Sequence, residues 1–228
     1  MTTPAAAVPD ISRATALTLQ APWGSAFATL DKRIENRLWE TYRRGWLLIH
    51  QGKAWDSAGL PTIARTFGVD SATIAGEHAT HTNGMVVAVA ELVGICVEAL
   101  RGQACWCGPW AMSQSYHWQF GTVHTLVDPV RATGRQQLWH PTPEVRAEVQ
   151  DSLRDSIRGV TLTCGGRARA KTMAEPLPGR AGQPCAAVYQ GRPGQARVMV
   201  LRDARLLGWC IGDTAMCRNC GAPAGGGR

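Results

Sequence analysis

Lys32-Arg33-Ile34-Glu35-Asn36-Arg37-Leu38-Trp39 is the stretch that decides the fold, because it sets three charges at fixed offsets where an apolar strand begins. Side chains of an extended chain alternate between faces, so Glu35 and Arg37 share one face and Ile34, Asn36 and Leu38 take the other. Lys32 lies one turn earlier, within reach of the same spot. Charge placed there points to binding or chemistry. The plainer alternative is a salt-bridged strand end, with Glu35 holding Lys32 or Arg37 in place.

Working outward, Ala16 to Leu19 reads as a first short strand ended by Pro22, after a flexible leader over residues 1–15. Apolar residues at 23, 26, 27 and 30 have the spacing of one short helix. Ile34 to Trp39 and Trp46 to His50 read as two strands joined through the turn at residues 42–45. A helix is expected within residues 60–67. Gly84 to Ile95, rich in Val and small residues, is the best central strand. Tyr116 to Leu126 and Gln136 to Trp139 are further strands. The last clear element is a helix capped by Thr142, with Pro143 in its first turn and Val145, Val149, Leu153 and Ile157 spaced four apart. Five or six short strands with two or three inserted helices predict an α+β domain on a small, partly open β-barrel.

Charge divides the chain. Residues 1–150 carry 12 Lys+Arg against 12 Asp+Glu, whereas residues 151–228 carry 12 against 5, so the whole net charge of +7 lies in the last third. With 13 Gly and 5 Pro from Gly159 onward, that segment is expected to be a basic, poorly ordered extension. The organisation predicted is a leader (1–15), one domain (16–158) and the extension (159–228). Within the extension, Val198 to Leu201 and Leu206 to Ile211 are apolar enough for a hairpin across Arg202-Asp203. No apolar run approaches the roughly 20 residues that span a bilayer, and the N-terminus lacks the pattern of a signal peptide. A cytoplasmic protein without a membrane partner is expected, its eight cysteines held reduced.

Lys32, Glu35 and Arg37, with Leu30 standing at the glycine position, resemble the Gly-x-Lys-x-x-Glu-x-Arg signature of the ASCH family, a member of the PUA-like superfamily of small β-barrels. The resemblance extends through Tyr42-Arg43-Arg44-Gly45, Leu48-Ile49-His50, the strand from Val87 to Val93, Tyr116-His117-Trp118 and Gln137-Leu138-Trp139, and covers roughly residues 15–157. It implies a cleft above the barrel that accepts RNA or a nucleoside-like ligand. The residue chemistry suits such a ligand. Arg37 and Arg44 can fork onto phosphate or a base edge, Lys32 can neutralise phosphate, and Glu35 or Glu91 can accept from an amine or sugar hydroxyl. Trp39, Trp46 and Trp118 offer faces for base stacking, worth about 1 to 3 kcal/mol per base.

Other residues read more plainly. Glu91 interrupts an apolar strand, so it either faces the cleft or pairs with a cation such as Lys32. Most of the nine tryptophans are core, with Trp39 and Trp46 assigned to the ligand by their position beside the motif. His50 and His117 read as structural. Cys217-Arg-Asn-Cys220 has a zinc-ligand spacing that Cys210 or Cys164 would extend, but the second pair, Cys105-Trp-Cys107, has the wrong gap for the usual two spaced pairs. No metal ligand set is assigned and no cofactor is expected. Arg167, Arg169, Lys171 and Arg180 either attract polyanions or are simply solvated.

Three functions compete: a module that binds RNA or a modified nucleoside; a metal-independent ribonuclease using Lys32 with Glu35 or Glu91; and a nucleoside amidohydrolase. The last resembles an ASCH subgroup whose nucleophilic threonine is replaced here by Glu35, which cannot repeat a hydroxyl attack. No P-loop, Gly-x-Ser-x-Gly elbow or His-Glu-x-x-His run is present, so nucleotide hydrolysis, serine hydrolysis and zinc proteolysis lack support.

Overall fold

Near-continuous burial marks β1 (Thr15–Ala21), which pairs in parallel with β3 (Gly45–Trp55) and antiparallel with β6 (Leu138–Trp139). A strand covered on both faces has no use for polar alternation. The computed structural model describes residues 7–67, 81–165, 187–194, 197–207, 209–211 and 215–216. By its contacts the chain falls into two units, Met1–Ile157 and Arg158–Arg228.

The first unit is a curled, mixed six-stranded sheet in the order β2-β5-β4-β3-β1-β6, a half-barrel with few helices. β2 (Ile34–Arg37) and β6 are its edges, while β4 (Met85–Cys96) and β5 (Tyr116–Arg131) lie inside it. One face packs Leu48, Val89 and Leu126 with Val149 and Leu153 of a helix. The other packs Leu17, Leu47, Ile49, Trp118 and Phe120 with Phe27. Each fully buried Leu or Val contributes roughly 1.5 to 3 kcal/mol.

Phe27 belongs to α1 (Trp23–Thr29), and α2 (Gly59–Phe67) places Ile63 beside Ala26. Val149 and Leu153 belong to α3 (Pro143–Arg158), whose first turn is capped as the sequence predicts, the Val145 amide donating to Thr142 Oγ1 at 3.4 Å. No described helix is long and apolar enough to cross a membrane.

Three expectations are corrected. β2 and β3 are not joined as neighbours; β2 pairs with β5, and β3 lies between β4 and β1. Residues 42–45 lack the Asn-Gly chemistry of a tight hairpin, and residues 38–44 are long enough to cross three strand spacings, about 14 Å. The second half of the expected leader is docked: Ile11 is buried in the core, and Gln150 of α3 accepts from the Ile11 amide and donates to the Pro9 carbonyl. Burial of one isoleucine and both hydrogen bonds offset the entropy of ordering this segment.

The third correction concerns the hairpin expected within the second unit; much of the extension expected to be poorly ordered lies outside the described residues. Its described residues pair β7 (Thr161–Thr163) with β8 (Val188–Gln190) and β9 (Cys210–Ile211) with β10 (Ala215–Met216). Val160, Leu162, Val200 and Ala204 form a small core. The expected hairpin over residues 198–211 is instead largely α4 (Arg197–Leu206). Arg, Met, Leu and Ala are good helix formers, and Val200 and Ala204, four apart, present one apolar stripe. Gly159 (φ +83°) opens this unit, where a Cβ would collide with the Gly191 carbonyl. Cys217, Cys220, Arg167, Arg169, Lys171 and Arg180 lie outside the described residues.

Candidate functional site

The three charges of the opening stretch converge. α1 ends with the Leu30 and Lys32 amides both donating to the Ala26 carbonyl, and the chain turns at Asp31 (φ 53°). Asp tolerates this left-handed conformation, whereas Leu30 (φ −123°) needs no glycine. The turn drives Lys32 inward until it is only 2% exposed. Its ammonium donates to Glu35 Oε2 at 2.8 Å and to the Ile34 carbonyl. Trp23, Phe27 and Trp110 surround it with ring centroids at 5.9, 5.0 and 5.6 Å, a cage suited to a cation. Burial pushes the Lys32 pKa below the ordinary lysine value, and the Glu35 carboxylate pulls against that shift.

Glu35 hands the chain of charges on to Arg37. Its Oε1 lies 3.2 Å from Arg37 Nε, as expected of two residues on one strand face, and Arg37 Nη2 donates to the Thr18 carbonyl at 3.1 Å. The guanidinium is thereby held against the Thr18 carbonyl of β1, where it lines a cleft of about 1100 Å³, just above the usual range for small-ligand sites. Arg37, Lys53, Arg131 and Arg135 supply four cations to the lining, Trp39 and Trp139 supply indoles, and no carboxylate is among the described lining residues.

His50 supports the cleft floor. Its Nε2 donates to the Ala132 carbonyl at 3.1 Å, its ring meets Trp139 edge-on at 5.8 Å, and Trp139 Nε1 donates to Thr18 Oγ1 at 3.0 Å. Burial lowers the His50 pKa, partly countered by backbone hydrogen bonds. Gly134 lies directly against this group: a Cβ there would stand 2.6 Å from His50 Nδ1 and 2.8 Å from Thr18 Oγ1. Only a residue without a side chain lets residues 132–137 lie so close to β1 and β3.

Of the residues singled out in the sequence, Arg37 and Trp39 line the cleft, whereas Lys32 and Glu35 are buried outside its lining and reach it through the Glu35–Arg37 contact. Trp39 also packs edge-on against the fully buried Trp118, with centroids 4.6 Å apart. Arg44 is exposed and donates to the Thr41 and Arg43 carbonyls. Trp46 is not among the cleft-lining residues; it packs against the α3-side core and His124. Glu91 is the register partner of Trp46 and, among the described residues, forms no ion pair. The structure thus brings together Lys32, Glu35 and Arg37 and leaves Arg44, Trp46 and Glu91 elsewhere.

Sequence reasoning missed Lys53, Arg131 and Arg135. The one local signal was that Lys53 and Arg131 stand near the ends of long strands, and only the pairing of β3, β4 and β5 brings those ends to one rim. Compared with known proteins, the chain matches no family model, and no curated protein matches it.

Proposed function

We propose that this chain binds RNA or a nucleoside-bearing anion in the cleft between β1, β2 and the segment after β5. The observation that carries the reading is the lining: four cations, a half-buried indole and, among the described residues, no carboxylate. Phosphate groups answer the cations, and a base answers Trp39. The resemblance of Lys32, Glu35 and Arg37 to the ASCH signature supports the same ligand class.

In this reading Arg37 touches the ligand, and Lys32 and Glu35 are positioning residues. A hydrolytic role for Lys32, Glu35 and Glu91 finds less support, because none of the three is among the lining residues and Lys32 and Glu35 are buried. A general acid or base must reach the proton it transfers.

The test is fluorescence anisotropy of end-labelled single-stranded RNA, with the same RNA resolved by size after incubation in EDTA. Saturable binding that weakens at least tenfold in Arg131→Ala/Arg135→Ala, with the RNA intact, is expected. Equal binding by that variant would move the ligand off the cleft. Cleavage that disappears in Lys32→Ala would replace the binding module with a ribonuclease.

A further inference from the structure

Residues 97–115, which connect β4 to β5, contain no strand of the sheet, yet they place chemistry in one spot. Cys96 ends β4 and His117 is the second residue of β5, and the two are register partners. Cys105 and Cys107 come from the connection itself. Residues two apart point to one side of an extended chain, so both sulfurs turn inward while Trp106 between them is 99% exposed. The ligating atoms of Cys96, Cys105, Cys107 and His117 all lie within 4.8 Å of one another, and Cys105 Sγ is 3.3 Å from His117 Nδ1.

We propose that these four side chains form a structural zinc site of the Cys3His type. Zn–S bonds of about 2.3 Å in a tetrahedron set the sulfurs about 3.8 Å apart, a contraction within reach of rotamer adjustment. Three thiolates and an imidazole complete a closed tetrahedral set with no position left for water, as in structural rather than catalytic sites.

The surroundings are those a zinc histidine requires. His117 is buried, and its Nε2 donates to the Met112 carbonyl at 2.6 Å, which leaves the Nδ1 lone pair facing the sulfurs. Gln119 Nε2 donates to Cys107 Sγ at 3.5 Å, a contact that favours thiolate. The Cys96 thiol donates to Glu98, whose exposed side chain is free to turn to solvent when that proton leaves. Binding forms three Zn–S bonds and one Zn–N bond and releases three thiol protons; nothing is oxidised.

The cation would pin the segment that roofs Lys32. Trp110 follows Cys107 closely, stacks over the Lys32 ammonium, and accepts a hydrogen bond at its carbonyl from Asn36 Nδ2 at 2.8 Å, while the Met112 amide donates to Asn36 Oδ1 at 2.9 Å.

The full chain, purified without chelator and dialysed exhaustively, is tested for zinc by elemental mass spectrometry, and for cobalt by absorption after exchange. About one zinc per chain and the charge-transfer and ligand-field bands of tetrahedral thiolate-bound cobalt are expected. Cys105→Ser and, separately, His117→Ala should lose the metal, and Cys217→Ser/Cys220→Ser should keep it. Folded wild-type protein that takes up neither metal would overturn the site. So would a disulfide within the cluster in freshly purified protein, or retention of zinc by a folded Cys105→Ser/Cys107→Ser variant.

Discussion

Lys32 and Glu35, three residues apart, form an ion pair buried from solvent, with Nζ 2.8 Å from Oε2. The pair stands where a helix ends and an edge strand begins, and its free carboxylate oxygen holds Arg37 at the cleft. Glu35→Gln therefore leaves an ammonium among three aromatic rings with no counter-charge. Removing one partner of such a pair costs about 3 to 5 kcal/mol, whereas replacing both costs much less. In urea denaturation, Glu35→Gln should lower the midpoint more than Lys32→Met/Glu35→Gln does. The reverse order would mean that the pair does not carry the turn.

The cleft lining separates Arg37 from two other charged residues, Arg44 and Glu91. Arg37→Ala should weaken RNA binding and reduce the salt slope by about 0.7 for the lost phosphate contact to a single strand. Arg44→Ala and Glu91→Ala, which change residues outside the lining, should bind like wild type. Anisotropy titrations at several salt concentrations distinguish the groups, and a loss with Arg44→Ala equal to that with Arg37→Ala would shift the ligand toward the β2–β3 connection.

Gly134→Ala tests the cleft floor without changing its charge. A methyl group there meets His50 and Thr18 at less than contact distance, so residues 132–137 must lift. Overpacking of this kind typically costs 1 to 3 kcal/mol. Reduced thermal stability together with reduced RNA affinity is expected; stability loss with unchanged affinity would separate the floor from the ligand.

Two histidines give a signed pH dependence. Burial holds His50 and His124 below the ordinary imidazole value of 6.5. Below that value the unfolded chain binds protons that the folded chain refuses, so stability falls as pH falls from 6.5 toward the folded pKa values and is fully present above 6.5. Denaturant midpoints measured from pH 7.5 to 5 should decline, and His50→Asn should shallow the decline by removing its share. An unchanged slope in that variant would assign the effect to His124 and other groups.

Local patterns were legible wherever neighbours in sequence make the structure. The apolar runs of β1 and β4, the fourfold spacing and cap of α3, and the alternation that sets Glu35 and Arg37 on one face depend only on strand and helix periods. α4 was misread because a short apolar run suits either period, and the Val200 to Ala204 stripe decides only against a core to pack on.

By itself, then, the sequence determined the element types of the first unit, the charge asymmetry and the convergence of Lys32, Glu35 and Arg37, since all of these act over a few residues. Tertiary structure alone decided which residues line the cleft and which sulfurs meet. Lys53, Arg131 and Arg135 share a rim, and Cys96 reaches His117, only because β4 pairs with both β3 and β5 in one register. Register is set by burial of whole strand faces, a property of the assembled sheet that no single segment carries.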